Sequence, residues 1–344
     1  MSTQRVIAMI TGAVAALAPA TSAATAASGH PLRSPARTVP RHIRVKATVA
    51  VGRAPLGVAT DPRTKKIYVA NSGGHTVSVI SGRTDTVVAT VWVGRSPVGV
   101  ATDPRTDTIY VTNADSNTVS VISGRTDTVV ATIRVGRFPN GVATNPRTNT
   151  IYVANIFSGT VSVISGRTDT VVATIRVGRF AGGVATEPRT NRIYVTLDSN
   201  RVPVISGRTD TVVARVRVPF RSTEAVATDP RTNTIYVTNP LGKAVAVISG
   251  RTNTTVATVR GAFQAAFAVA TDPLTNTVYL ADGGDETWVI NGRSDTVVAT
   301  VRVGGGPVGV GTDPQAKTVY VANFFDNTVT VLVSCRGRAA ARCR

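Results

Sequence analysis

The chain has 344 residues, 42% of them hydrophobic, and a formal net charge of +19 from 38 Lys and Arg set against 19 Asp and Glu. With three His and two Cys in the whole sequence, a His-rich copper or zinc centre is excluded on ligand count, and thiol catalysis has almost nowhere to sit. The positive excess raises binding of anionic polymers as one function class.

In chain order, Arg5 precedes an apolar stretch from Val6 to Leu17, followed by Pro19 and small residues through Ala27, with Ala-x-Ala spacing at Ala24-Thr25-Ala26. Residues 1–27 therefore read as a secretory signal peptide, too short for a transmembrane span and without a twin-arginine motif. The expected location is secreted or at the cell surface. No later apolar run approaches membrane-spanning length, so no transmembrane span is expected. Residues 28–44, rich in Pro and Arg and without periodicity, read as a linker.

From residue 45 to 333 the sequence repeats itself. Tyr68, Tyr110, Tyr152, Tyr194, Tyr236, Tyr279 and Tyr320 recur at intervals of 41 to 43 residues and are all the Tyr in the chain. Such a period means one supersecondary unit used many times. The unit from Gly99 to Gly136 divides at turn residues into four runs rich in Val, Ile, Thr and Tyr: Val100–Thr102, Thr108–Thr112, Thr118–Ile122 and Thr128–Val135. Between the runs lie Asp103-Pro104-Arg105-Thr106 and Ser123-Gly124-Arg125-Thr126-Asp127, with Pro, Gly and Asp where tight turns need them. Four short antiparallel strands per unit of about 40–45 residues specify a β-propeller blade.

The ends are incomplete in complementary ways. Lys46–Gly52 matches only a fourth run, and the last repeat stops after a third run, Thr328–Val333. The N-terminal segment is thus expected to supply the outer strand of the last blade and close the ring. The fold class that follows is all-β, a seven-bladed β-propeller of four antiparallel strands per blade. Residues 334–344 form a basic tail in which Cys335 and Cys343 are a candidate disulfide in an exported protein.

Tyr110-Val111-Thr112-Asn113 and Tyr236-Val237-Thr238-Asn239 spell YVTN. With the TVSVI, DTVVATI and VG…P-x-GVA strings around them, they resemble the YVTN-type β-propeller repeat family, which includes secreted and surface-layer-associated proteins. The resemblance implies the propeller fold and leaves activity open, because one scaffold hosts unrelated functions. Leu197 and Asp282 replace the final Asn in two blades, which argues against a role for that Asn beyond ending the strand.

Strand direction places the DPRT and SGRTDT turns on one face of the ring and the remaining loops on the other. On the first face each Arg has a neighbouring Asp, as Arg125 has Asp127, so charge there is expected to cancel locally. Arg134, Arg176, Arg215, Arg217, Arg260 and Arg302 fall on fourth strands, where they either protect edges or attract an anionic polymer such as cell-wall material or DNA. The second face gathers all eight Phe and the residues that vary most between repeats. An apolar loop cluster rimmed by polar groups marks a binding surface, unless the rings turn inward and plug the channel. The candidate ligand-binding residues are Phe138, Asn140, Phe157, Phe180, Glu224, Gln264, Phe324 and Phe325.

Asp282, Asp285, Glu286 and Asp326, from adjacent blades, form a weaker candidate site for a divalent cation, against the plainer reading of a solvated acidic patch. No other cofactor is expected. Propeller lyases of the streptogramin-inactivating type, architecturally similar to this ring, use paired His with Glu and Mg²⁺, whereas only His75 lies within these blades. A Ser-His-Asp triad would have to use His75, and no nucleophile elbow is present. A carboxylate hydrolase would use Glu224 with Asp282 or Asp285.

These readings converge on an exported, non-enzymatic binding or scaffold module whose ligand, a protein or polymer, sits on the Phe-bearing loop face. The alternatives are a hydrolase or lyase with a carboxylate and metal site at the channel mouth, and a binder of anionic polymers through the basic rim and tails. Oligomeric state is not encoded in any feature of the chain.

Overall fold

A computed structural model describes residues 42–335 apart from 240, 242 and 263. The expected signal peptide, the expected linker up to residue 41, Phe263 and Cys343 of the candidate disulfide lie outside the described residues.

Seven four-stranded antiparallel sheets stand in a ring, and the one helical element among the described residues is a short 3-10 turn at Ala114–Ser116. In the second blade the strands are Pro97–Asp103, Thr108–Asn113, Thr118–Ser123 and Thr128–Arg134, running outward from the channel in chain order. The first starts three residues before the expected Val100. Pro97 pairs with Asn113, and a bulge then intervenes before Val100 pairs with Val111.

The second and third strands are buried on both sides because each sheet packs between two others. Tyr68, Val77 and Val79 of the first blade form one core with Ile109, Val111 and Ile122 of the second, and equivalent clusters fill the other gaps. Burying a Val or Ile side chain contributes about 1.5–3 kcal/mol, so seven such seams supply most of the cohesion. The fourth strands expose alternate residues and form the outer rim, carrying the exposed Val88, Val130 and Val172 beside their Arg.

Each Tyr does more than fill space. Tyr320 reaches the Gly82 turn of the next blade, Tyr152 the Gly207 turn and Tyr236 the Gly292 turn, and the Tyr194 hydroxyl donates to Asn253 Oδ1 at 3.2 Å. Burial pushes the hydroxyls of Tyr68, Tyr110 and Tyr152 well above the ordinary phenol range, reinforced by Asp127, Asp169 and Asp210 of the following blades. The turn Asp is therefore tucked inward. Among the described residues Asp127 is held by Lys66 of the preceding blade at 2.8 Å rather than by Arg125, which points to solvent. The expected local cancellation between turn Arg and turn Asp is replaced by bonding between blades.

The final Asn of the YVTN string also has a role that its absence from two blades concealed. Asn113 Nδ2 donates to Thr118 Oγ1 at 3.1 Å and Ser120 Oγ at 2.9 Å, clipping the second strand to the third, and Asn71, Asn155 and Asn323 do the same. Where Asp282 replaces Asn, Trp288 replaces the Ser, and the clip survives with polarity reversed: Trp288 Nε1 donates to Asp282 Oδ2 at 2.8 Å. Leu197, the other departure, gives up the amide and packs as an apolar residue in the adjoining core.

The ring closes as the sequence requires. His42–Ala50 pairs antiparallel with Thr328–Cys335 as the outermost strand of the seventh blade, four residues longer at its start than expected. Lys46 Nζ reaches Asp85 of the first blade at 2.7 Å. Deleting residues 42–50 should leave the Thr328–Cys335 edge unpaired and make the protein self-associate, as read by analytical ultracentrifugation. A variant that stays monomeric with unchanged thermal stability would show that closure by this strand is dispensable.

Candidate functional site

The site begins with a repeated residue whose side chain the backbone turns toward the axis. In the P-x-G-V-A string or its counterpart, position x is Leu56, Val98, Asn140, Gly182, Glu224, Phe267 and Val308 around the ring. In blades one, two, three and seven this residue sits in a bulge of the first strand, and in the other three it precedes a shortened first strand. Bulges re-aim side chains. Here they bring position x to the channel mouth on the loop face, where all of these residues but side-chain-less Gly182 line a cavity of 220 Å³.

The next residue explains how narrow the ring is. A Cβ at Gly57 would strike the carbonyl oxygen of Val98, one at Gly99 that of Asn140, and one at Gly309 that of Leu56. Only Gly permits this approach between adjacent backbones. One turn further along each first strand, Thr60, Thr102, Thr144, Thr186, Thr228, Thr271 and Thr312 each donate their hydroxyl to the carbonyl of the equivalent Thr in the preceding blade, at 2.6–2.8 Å. The seven links form a closed circle under the mouth.

Two of the seven mouth positions are polar, and they flank Gly182. Asn140 Nδ2 donates to Gly182 O at 3.3 Å, leaving Oδ1 buried without a partner. The backbone carbonyl of Asn140 is fixed by Thr112 Oγ1 and that of Glu224 by Thr196 Oγ1, both at 2.7 Å. Glu224 keeps part of its surface open to the channel while protein packs closely around it. Burial, with a smaller contribution from the Asp198 carboxylate, pushes its pKa up to about 7. Strongly shifted carboxyls in clefts are candidates for binding or proton transfer.

The other candidates divide into separate groups. Phe138 is buried against Ala114, Ile156 and Val98, with its ring 4.9 Å from that of half-buried Phe157. Phe180, 41% exposed with Arg179 5.4 Å from its ring, borders a 390 Å³ cleft with Arg137 and Phe157. Phe138 and Phe180 both hold left-handed backbone, with φ of 55° and 56°, which is uncommon for bulky side chains. Phe324 and Phe325 pair edge to face on the seventh blade, with Phe325 53% exposed. Thus the rings do not form one continuous surface: Phe138 and Phe267 turn inward, while Phe180 and Phe325 stay outside.

Exposed Gln264 shares a distinct cleft on the sixth blade with Asp282, Asp285 and Glu286. These acids do not assemble into a metal cage. Asp282 is committed to Trp288 and the Gly284 amide, Asp326 accepts from Gly305 N at 2.7 Å, and Asp285 lies 3.8 Å from Arg302. Among the described residues no group of three or more His, Cys, Asp and Glu has metal-binding geometry. Glu224 therefore has Asp198 as its acidic neighbour, not Asp282 or Asp285.

His75 accepts the Ser96 amide on Nδ1 at 3.1 Å while Ser96 Oγ donates to Asp115 at 2.7 Å, so the three do not form a nucleophilic relay. The rim Arg are exposed on the fourth strands, and Arg215 also donates to Val177 O at 2.7 Å. Among the described residues no helix is long and apolar enough to cross a membrane. What the residue-type reading missed is position x itself. Aligning the seven P-x-G-V strings by register exposes it.

No protein-family model matches the chain, and no curated protein matches it. Among solved structures, a chain of Kuenenia stuttgartiensis hydrazine synthase is similar, with a TM-score of 0.74 and 23% identity over 83% of this chain and 96% of that one. At that identity the likeness is one of fold. Fold and comparison together define the class: a seven-bladed β-propeller with a single asymmetric channel mouth.

Because the folded pKa of Glu224 lies above its ordinary 4.5, the folded state favours the protonated form. Stability from this group is full below the ordinary value and is lost as pH rises from about 4.5 to about 7. Glu224→Gln, neutral throughout, should be more stable than wild type by about 2 kcal/mol at pH 8, a figure reduced for channel water, and equally stable near pH 4. Denaturant unfolding at the two pH values checks this. Parallel curves for both proteins would mean that Glu224 is solvated like a surface acid.

Proposed function

We propose that the protein is an exported binding module of the YVTN-repeat propeller type, holding its ligand at the channel mouth on the loop face. The observation that carries this reading is the divergence of position x. Seven copies of one unit keep their Thr circle and their turns, yet at the mouth they present Leu, Val, Asn, Gly, Glu, Phe and Val. A symmetric scaffold becomes specific for one ligand by breaking its repeat at one place. Export is supported by the leader pattern of residues 1–27 and by the resemblance to a family with secreted members.

Asn140, Glu224 and Phe138 belong to the mouth itself, and Phe157 and Phe180 to the cleft beside it. Gln264, Phe324 and Phe325 stand further out on blades six and seven and would meet only a larger partner. One observation favours a second reading, in which Glu224, poised near neutrality, acts as general acid or base on a bound substrate.

One experiment tests both halves of the proposal. Protein recovered from the medium or cell surface of its host should lack residues 1–27, and thermal-shift screening should find small molecules that stabilise it. Gly182→Phe should abolish that stabilisation while preserving the fold, since a Cβ at Gly182 meets nothing closer than 3.6 Å and the ring would fill the mouth. An intact leader on cell-internal protein would contradict export. Ligand stabilisation that survives the plug would contradict binding at the mouth.

A further inference from the structure

We propose that the channel mouth binds a primary ammonium group carried on an aliphatic stem, with the ammonium at the Glu224 carboxylate and the stem along Leu56, Val98, Phe267 and Val308. This rests on the mouth being the binding site and adds the chemistry of what it takes.

The carboxylate of Glu224 is the charged acceptor of the mouth. Asn140 gives one of its two amide N–H groups to Gly182 O, and its Oδ1 is sealed from solvent. No hydrogen bond from the described residues reaches the Glu224 carboxylate, and its only charged influence is a second carboxylate, Asp198. A carboxylate that meets no donor in a largely apolar mouth is best matched by a ligand that brings N–H donors and a positive charge. An anion is disfavoured by the sign of the local field. A divalent cation needs about six oxygen ligands, and one carboxylate with one amide oxygen falls far short.

Gly182 is the one position without a side chain, where the six other blades place Leu, Val, Asn, Glu, Phe or Val, and a Cβ there would rest in ordinary contact with Thr196 Oγ1, Asn140 Nδ2 and Glu224 O at 3.6–3.8 Å. The remaining wall is apolar, as an alkyl stem requires. A cavity of 220 Å³ has the volume of about seven water molecules, enough for an ammonium and a stem of about four to six carbons. The overall charge of +19 does not prevent this, because screening confines distant Arg to about 8 Å at physiological salt.

Two sources supply the same chemistry: a free alkylamine, or the Lys side chain of a protein partner. The pH dependence follows from Glu224, which must be ionised to hold the cation. Asp198 is the charged group acting on it from the loop before the third strand of blade four, and the other mouth positions carry no ionisable side chain. Affinity should therefore rise about tenfold between pH 6 and pH 8 and then level off.

The test is calorimetric titration of the whole protein with n-pentylammonium, with 1-pentanol and pentanoate as probes of the same shape. The expected result is binding of the amine with the stated pH profile and at least tenfold weaker binding of the other two. Glu224→Gln should lose at least tenfold in amine affinity and the pH dependence with it. A blocked lysine, Nα-acetyl-lysine methylamide, separates the sources: binding at least as tight as pentylammonium points to a protein Lys, and weaker binding to a free amine. Failure of pentylammonium to bind, or equal binding of pentanol, overturns the inference. If other ligands still bind in a manner that Gly182→Phe abolishes, only the ammonium chemistry has failed and the mouth remains the site.

Discussion

The circle of threonine hydroxyls under the mouth is the constraint on which the rest depends. Each Thr bonds the carbonyl of its equivalent one blade back, and the series ends where it began, Thr60 donating to Thr312. One hydrogen bond contributes about 1 kcal/mol, and the seven links tie every blade to both of its neighbours. The glycines just before these Thr let adjacent backbones touch. Five blades carry that Gly and blades five and six carry Ala225 and Ala268 in its place, while the Thr circle ties all seven first strands, so position x is presented at a similar height around the channel. Rigidity below is what allows variation above.

The opposite ends of the blades are stitched by different chemistry. There the Tyr hydroxyls meet the Gly and Asp turns of the next blade, and Lys66 and Lys46 reach across to Asp127 and Asp85. The turn carboxylates are thereby turned inward and the turn Arg outward, so charge that looks paired along the sequence is paired across blades in space. At the mouth the charged neighbour acting on Glu224 is the Asp198 carboxylate.

Much of this was readable from the chain. The Tyr period, the four β-rich runs and the complementary ends were enough to predict seven blades and the closing strand, because periodicity and turn chemistry are local and repeat without interference. The site was less readable for two physical reasons. Residue type does not report direction: Phe138 and Phe267 were counted with Phe180 and Phe325, yet Phe138 packs against Ala114 and Ile156 and Phe267, just before a shortened strand, turns into the channel mouth. Nor does a carboxylate show its partner. Asp282 read as a candidate cation ligand until Trp288, six residues on, was seen to occupy it, whereas Glu224, which has no such partner, carries the strongest perturbation at the mouth. Asn140 and Glu224 were both named from the sequence, but as two of many variable loop residues. Their meeting across Gly182 needed the ring.

Glu224 lines the channel mouth with its carboxylate meeting no hydrogen-bond donor among the described residues. The most direct measurement is an NMR pH titration of the side-chain carboxyl carbons of Glu187, Glu224 and Glu286. A Glu224 signal that titrates at about 7 would support the account. A Glu224 that titrates near its ordinary 4.5 would place it in bulk-like solvent and contradict the environment assigned to it at the channel mouth.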